Sequence, residues 1–123
     1  MNRVKLRGAE LQHSILAGAH LVGADIRAAN LQQADLSQAN LALAWMDTAL
    51  LQEADLSGAN LNGAKLINAD LSGANLNGAK LAVARLDGAR LQHASLVRVN
   101  LRDANLFHAD LSYGNLNRAY LVG

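Results

Sequence analysis

Four histidines, His13, His20, His93 and His108, supply the imidazoles of this 123-residue chain. Beside a carboxylate and a hydroxyl, any of them could serve as a general base. The hydroxyls on offer include Ser57, Ser72 and Ser112, and the nearest acid to a histidine in sequence is Asp110, two residues after His108. None of these residues sits in a recognisable nucleophile motif. The chain has no cysteine, which excludes disulfides and thiolate metal sites. No glycine-rich loop opens a helix after a strand, so there is no phosphate cradle of that kind. What these groups can do depends on the elements that hold them.

Those elements are written in fives. Counting from Leu6 to Leu121, leucine occupies 22 of 24 successive fifth positions, with Ile26 and Met46 as the exceptions. Two residues earlier stands alanine in 20 of the 24, the exceptions being Val4, Ser14, Val99 and Gly114. The residue between them is usually Asp or Asn. Nine of the ten glycines fall two residues after the central position, as Gly8, Gly58 and Gly78 illustrate. This repetition explains a composition that is 51% hydrophobic but only 3% aromatic.

A period of five fits neither regular element. On an α-helix five residues advance about 140° net, so the leucines would spray around the cylinder. On a flat strand a step of five changes face every time. Every leucine points inward only if the chain turns once per repeat. Gly, Asn, Asp and Ser suit such corners. Four repeats per coil would close a square of about 20 residues, with coils stacked about 4.8 Å apart. Twenty-four repeats then give six coils and a rod roughly 30 Å long. The absence of proline suits an unbroken ladder of backbone donors.

This A-(D/N)-L-x-x pattern, from about Val4 to Val122, resembles the pentapeptide-repeat proteins. The resemblance implies an all-β fold, a right-handed quadrilateral parallel β-helix whose central Leu and preceding Ala line the interior. Residues 1–123 are expected to form a single domain of about six coils. The resemblance also implies two activities to weigh: a non-enzymatic structural or protein-interaction solenoid, or a DNA-mimicking binder of a type II topoisomerase such as gyrase. The mimic needs a strongly negative rod. Here Asp35 and Asp55 align but give way to Asn75, and the other acids are dispersed among cations.

Stacking coil on coil sorts the surface into columns, one residue of each column per four repeats. Trp45 occupies an Asp/Asn position in the column Lys5, Asp25, Trp45, Lys65, Arg85, Asn105. Leu43, Trp45, Ile67 and Val83 are expected at one corner as a protein contact patch. Phe107, Tyr113, Tyr120 and Val122 fall in the last coil, where an open end favours a C-terminal end-to-end homodimer. Family resemblance supports that mode in some members. At the other end Arg3, Lys5 and Arg7 would resist association.

Charge divides unevenly. Residues 1–61 carry four basic and six acidic side chains, a net of −2; residues 62–123 carry seven basic and four acidic, a net of +3. Lys80, Arg85 and Arg90 spread over three sides, which argues against a nucleic-acid footprint. His13 and His93 share a column but stand four coils apart, roughly 19 Å. A narrow Leu/Ala core leaves no cavity for a substrate, and no metal or other cofactor is expected. No apolar run is long enough to span a bilayer and no apolar leader opens the chain, so a cytoplasmic protein with an unidentified protein partner and no membrane contact is expected.

Overall fold

The computed structural model describes residues 4–123. The expectation for Arg3 therefore lies outside the described residues, as do Met1 and Asn2. The chain is a β-helical solenoid without long strands. Each repeat contributes one bridging residue, and each bridge is parallel and joins positions four repeats apart, as in Lys5 with Asp25 and Asp25 with Trp45. Four such ladders run the length of the rod, starting at Lys5, Glu10, Ile15 and His20. Four repeats therefore make one coil.

The turn that makes this possible is identical in every repeat. The alanine N–H donates to the leucine carbonyl three residues back, as from Ala9 to Leu6 at 3.0 Å and from Ala59 to Leu56 at 3.0 Å. The residue before that alanine has positive φ at every fifth position from Gly8 to Arg118. Only a β-turn with a left-handed third residue does this. Sequence reasoning assigns such corners to Gly, Asn, Asp and Ser. The structure also places Leu43, Thr48, Val83 and Tyr113 there, with φ of 58°, 57°, 53° and 59°. Tertiary pairing overrides local preference, because three bonds to each neighbouring coil hold an interior repeat. Leu56 N–H reaches Asn75 at 2.7 Å, Gly58 N–H reaches Asn77 at 2.9 Å, and Asn75 N–H reaches Ala54 at 2.9 Å.

One N–H per repeat, on the residue after leucine, has no place in this ladder. The Asp/Asn before leucine receives it. Ser37 N–H donates to Asp35 Oδ1 at 2.9 Å, Ser57 to Asp55 at 2.9 Å and Asn62 to Asn60 at 3.2 Å. That is the physical reason for the acidic or amide residue in the motif. Where Lys65, Lys80 or Ser95 replaces it, a side chain one coil back takes over. Asp47 accepts from Ile67 N–H, Asn62 from Ala82 N–H and Asn77 from Val97 N–H, at 3.2, 3.0 and 2.9 Å.

Inside, leucine stacks on leucine and alanine on alanine from Leu21 to Leu101, every one buried. Along Leu71 to Leu111 the axial gap between side chains has no room for a water molecule. The first and last coils leave Leu6, Leu11 and Leu16, and Leu106, Leu111 and Leu116, only partly covered. No helix among the described residues is long and apolar enough to cross a membrane.

Two sets of variants check this account by chemical denaturation. Leu56, fully buried at mid-rod, should lose roughly 2–5 kcal/mol as Leu56→Ala, and the half-covered Leu116 distinctly less. At Gly78 a Cβ would meet nothing within 4 Å, so Gly78→Ala isolates the backbone effect. It should destabilise by about 1 kcal/mol, while Ala28→Gly, at φ 56°, should stabilise by up to about 1 kcal/mol.

Candidate interaction surfaces

The four residues expected at one corner divide into two arrangements. Leu43 and Val83 are 61% and 59% exposed and stand in one column, on either side of Gly63. A Cβ on Gly63 would lie 2.8 Å from Leu43 Cδ2 and 4.0 Å from Val83 Cγ2. The glycine is therefore a notch into which the leucine leans. Together they form an apolar ridge running along the rod. Val22, 50% exposed, lies one column away at the start of the same corner.

Trp45 belongs to the adjoining side and is half-buried. Arg27 lies over its ring with Cζ 4.9 Å from the centroid, and Lys65 Nζ lies 5.1 Å from it. Both cations meet the negative face of the indole. Arg27 is itself clamped by Asp25, with Nε to Oδ1 at 2.7 Å and Nη2 to Oδ2 at 2.6 Å. So the tryptophan is part of a charged stack spanning three coils, and not a bare apolar anchor. Sequence reasoning could find Lys65, which shares Trp45's column; Arg27 comes from the neighbouring one. Ile67, half-buried, stands in the column of Arg27 and Asp47, two columns from Leu43, and its N–H donates to Asp47 Oδ1 at 3.2 Å.

The C-terminal residues ring the last coil on separate columns. Tyr113 is 84% exposed and stacks on His93, centroids 5.0 Å apart and planes 8° from parallel. Phe107, 66% exposed, meets His108 at 4.0 Å. Tyr120 continues the ladder above Asn100, and the Val122 carbonyl accepts from Asp103 N–H at 2.7 Å. The end itself is floored by partly buried leucines, with Leu121 57% exposed. The histidines thus serve as ring partners at His93 and His108. Among the described residues no three His, Asp or Glu side chains gather in a way that could hold a metal ion.

Sequence reasoning missed one feature. Arg98 and Arg118 stand one above the other at a corner beside an open groove of about 700 Å³, lined also by Asn77, Gly78, Val97 and Asn117. The signal was available: the two arginines are one coil apart in the same column.

The ion pairs make a pH prediction. The hydrogen bonds from Arg27 pull the Asp25 carboxyl from its ordinary 3.8 to about 2. A depressed carboxylate stabilises the folded state above its unfolded pKa. That contribution is lost as pH falls from about 4 toward about 2. Carbon-detected NMR of Arg27→Met should show Asp25 titrating near the ordinary value, and an unchanged midpoint would contradict the clamp.

Comparison with known proteins now bears on this geometry. The pentapeptide-repeats family profile matches residues 5–41, 49–81 and 84–121, in eight copies. The chain is 34% identical to HetL, a pentapeptide repeat protein involved in heterocyst differentiation regulation in the cyanobacterium Nostoc sp. strain PCC 7120; the match covers 98% of this chain and 60% of HetL, with a TM-score of 0.62. It is 38% identical to the pentapeptide repeat protein Rfr23 of Cyanothece 51142, over 78% of this chain and 63% of Rfr23, with a TM-score of 0.56. A thylakoid-lumen pentapeptide repeat protein of Arabidopsis thaliana is 25% identical, over 89% and 66% of the two chains, with a TM-score of 0.52. The chain thus spans less than two thirds of the length of these relatives. No curated protein matches it. With the five-residue pattern, the four-repeat ladder and the family profile in agreement, the chain belongs to the pentapeptide-repeat family.

Proposed function

We propose that this chain is a right-handed quadrilateral rod of about six coils, a single domain over residues 1–123, that works as a non-enzymatic protein-interaction scaffold. The right-handed sense rests on the family resemblance, and the four-sided section is supported by bridges that join each repeat to the fourth one after it. The observation that carries the functional reading is the filled core: Leu and Ala close the axis against water and leave only the outer surface for recognition. The contact surface on this reading is the Leu43–Val83 ridge with Trp45 and Ile67 beside it. Leu43 and Val83 occupy left-handed corner positions and Trp45 stands at a position the repeat usually gives to Asp or Asn. Exposed aliphatic side chains in one column are not required by the coil, and they make an apolar surface for a partner.

The acids give little support to a DNA mimic. Asp25, Asp70, Asp87 and Asp103 are each paired with an arginine, which interrupts any negative stripe. The C-terminal coil, with Phe107, Tyr113, Tyr120 and Val122 around a partly covered leucine floor, is the surface we assign to a homodimer. The partner protein's identity is open.

Capture from a bacterial lysate with the wild-type rod and with Leu43→Ser/Val83→Ser should differ in the proteins retained, at equal melting temperature. Identical sets would remove the ridge from the interface. Light scattering should give twice 13.0 kDa, and Leu121→Lys should return the particle to one chain; a monomeric wild type rules the dimer out.

A further inference from the structure

We infer that the corner formed by Arg98 and Arg118 is a binding site for a phosphorylated side chain of a partner polypeptide. This inference rests on the scaffold reading above and names the chemistry of one partner group. Every ion pair among the described residues uses another arginine: Arg27 with Asp25, Arg85 with Asp87, Arg90 with Asp70 and Arg102 with Asp103. Among the described residues no carboxylate lies within ion-pair distance of Arg98 or Arg118. They occupy successive rungs of one corner column, separated by about 4.8 Å along the rod. The backbone fixes that spacing, since Arg98 N–H donates to the Asn117 carbonyl at 2.9 Å. Lys80 stands two residues past Gly78 on the adjoining ladder, below Asn100. The cations that line the groove are therefore Arg98 and Arg118, and no ion pair among the described residues uses either.

The groove between them presents donors. Asn77 Oδ1 already accepts twice, from Ser95 Oγ at 2.7 Å and from Val97 N–H at 2.9 Å. Because the Val97 amide can only donate, the oxygen of Asn77 must face it, and the Nδ2 group is left as the free end. Gly78 carries no side chain to fill the floor, and a Cβ there would meet nothing within 4 Å. Two guanidinium forks and an amide N–H₂ around an open space of about 700 Å³ suit a tetrahedral dianion. One carboxylate would leave a cation unmatched.

The height of the site decides against nucleic acid. Below Arg98 the same column reads Gly78, Gly58, Gln38 and Gly18, without a cation. The positive segment is two coils tall and can meet one phosphate, whereas a strand offers a run of them. The groove is open, as a side chain on a folded partner requires.

The test is a ¹⁵N NMR titration of the whole chain with inorganic phosphate, then with an acetylated Gly-phosphoserine-Gly tripeptide. Its unphosphorylated form and an oligothymidylate are the controls. Both phosphates should shift amides confined to residues 77–80, 97–100 and 117–118, and the unphosphorylated tripeptide should shift none. Arg98→Gln/Arg118→Gln should weaken phosphopeptide binding about tenfold or more at an unchanged melting temperature. Absence of shifts, shifts spread equally over Arg27, Arg85 and Arg90, or binding that survives the double variant would overturn the site. Phosphate binding without phosphopeptide binding, or tighter binding of the oligothymidylate, would overturn the phosphorylated-polypeptide assignment. None of these results touches the lysate comparison on the Leu43 ridge, so the two readings fail separately.

Discussion

A residue of positive φ closes each five-residue repeat, and without it the chain could not bring the next leucine inward. Left-handed backbone is costly for any residue with a Cβ. This rod adopts it once in every repeat from Gly8 to Arg118. The ladder makes that tolerable. Each interior repeat exchanges three backbone bonds with the coil on either side and closes its own turn with one more. The strain is local, whereas the compensation comes from stacking, so a coil is stable only between neighbours. That is the nearest-neighbour logic of solenoids.

The same turn governs the surface. Because the chain always returns to the same side after four repeats, a side chain at a left-handed position leans on the corresponding place one coil on. Where that place is glycine, the neighbour fills it. Gln38 lies over Gly58, Leu43 over Gly63 and Asn68 over Gly88. Glycine in this protein is therefore as much a seat for another side chain as a licence for its own backbone. The Asp/Asn position has an equally specific duty, receiving the one amide hydrogen that the ladder leaves over. Polar residues that look like a solubilising coat are part of the backbone's hydrogen bonding.

The core was legible in the sequence because its signal is strict: the leucine at each fifth position and the alanine before it are the residues buried from Leu21 to Leu101. The columns were legible too, once a coil was read as four repeats. What the pattern could not reveal was contact between columns. Arg27 reaches Trp45 from the neighbouring column, so an aromatic that looked like an exposed anchor is enclosed by charge. The C-terminal rings share a coil but sit at different corners, each with its own neighbour, His93 for Tyr113 and His108 for Phe107. The left-handed leucine and valine were invisible because local preference argues against them, and only the ladder overrides it.

The four-repeat return has a consequence for how such a molecule can change. A deletion or insertion of one repeat leaves every leucine inside, yet it rotates everything beyond it by a quarter turn. The fold does not register the edit, but every vertical alignment on the surface is dealt again. The chain carries a trace of this. ADLSGANLNGAK occurs at 54–65 and again at 69–80, an offset of three repeats. The copies keep the same local bond, Ser57 N–H to Asp55 and Ser72 N–H to Asp70, at 2.9 and 3.0 Å. They present it on different sides: Asp55 lies beneath Asn75, while Asp70 lies beneath Arg90. Surface pairings in this architecture can thus be reshuffled like the digits of a combination lock, without disturbing the mechanism inside.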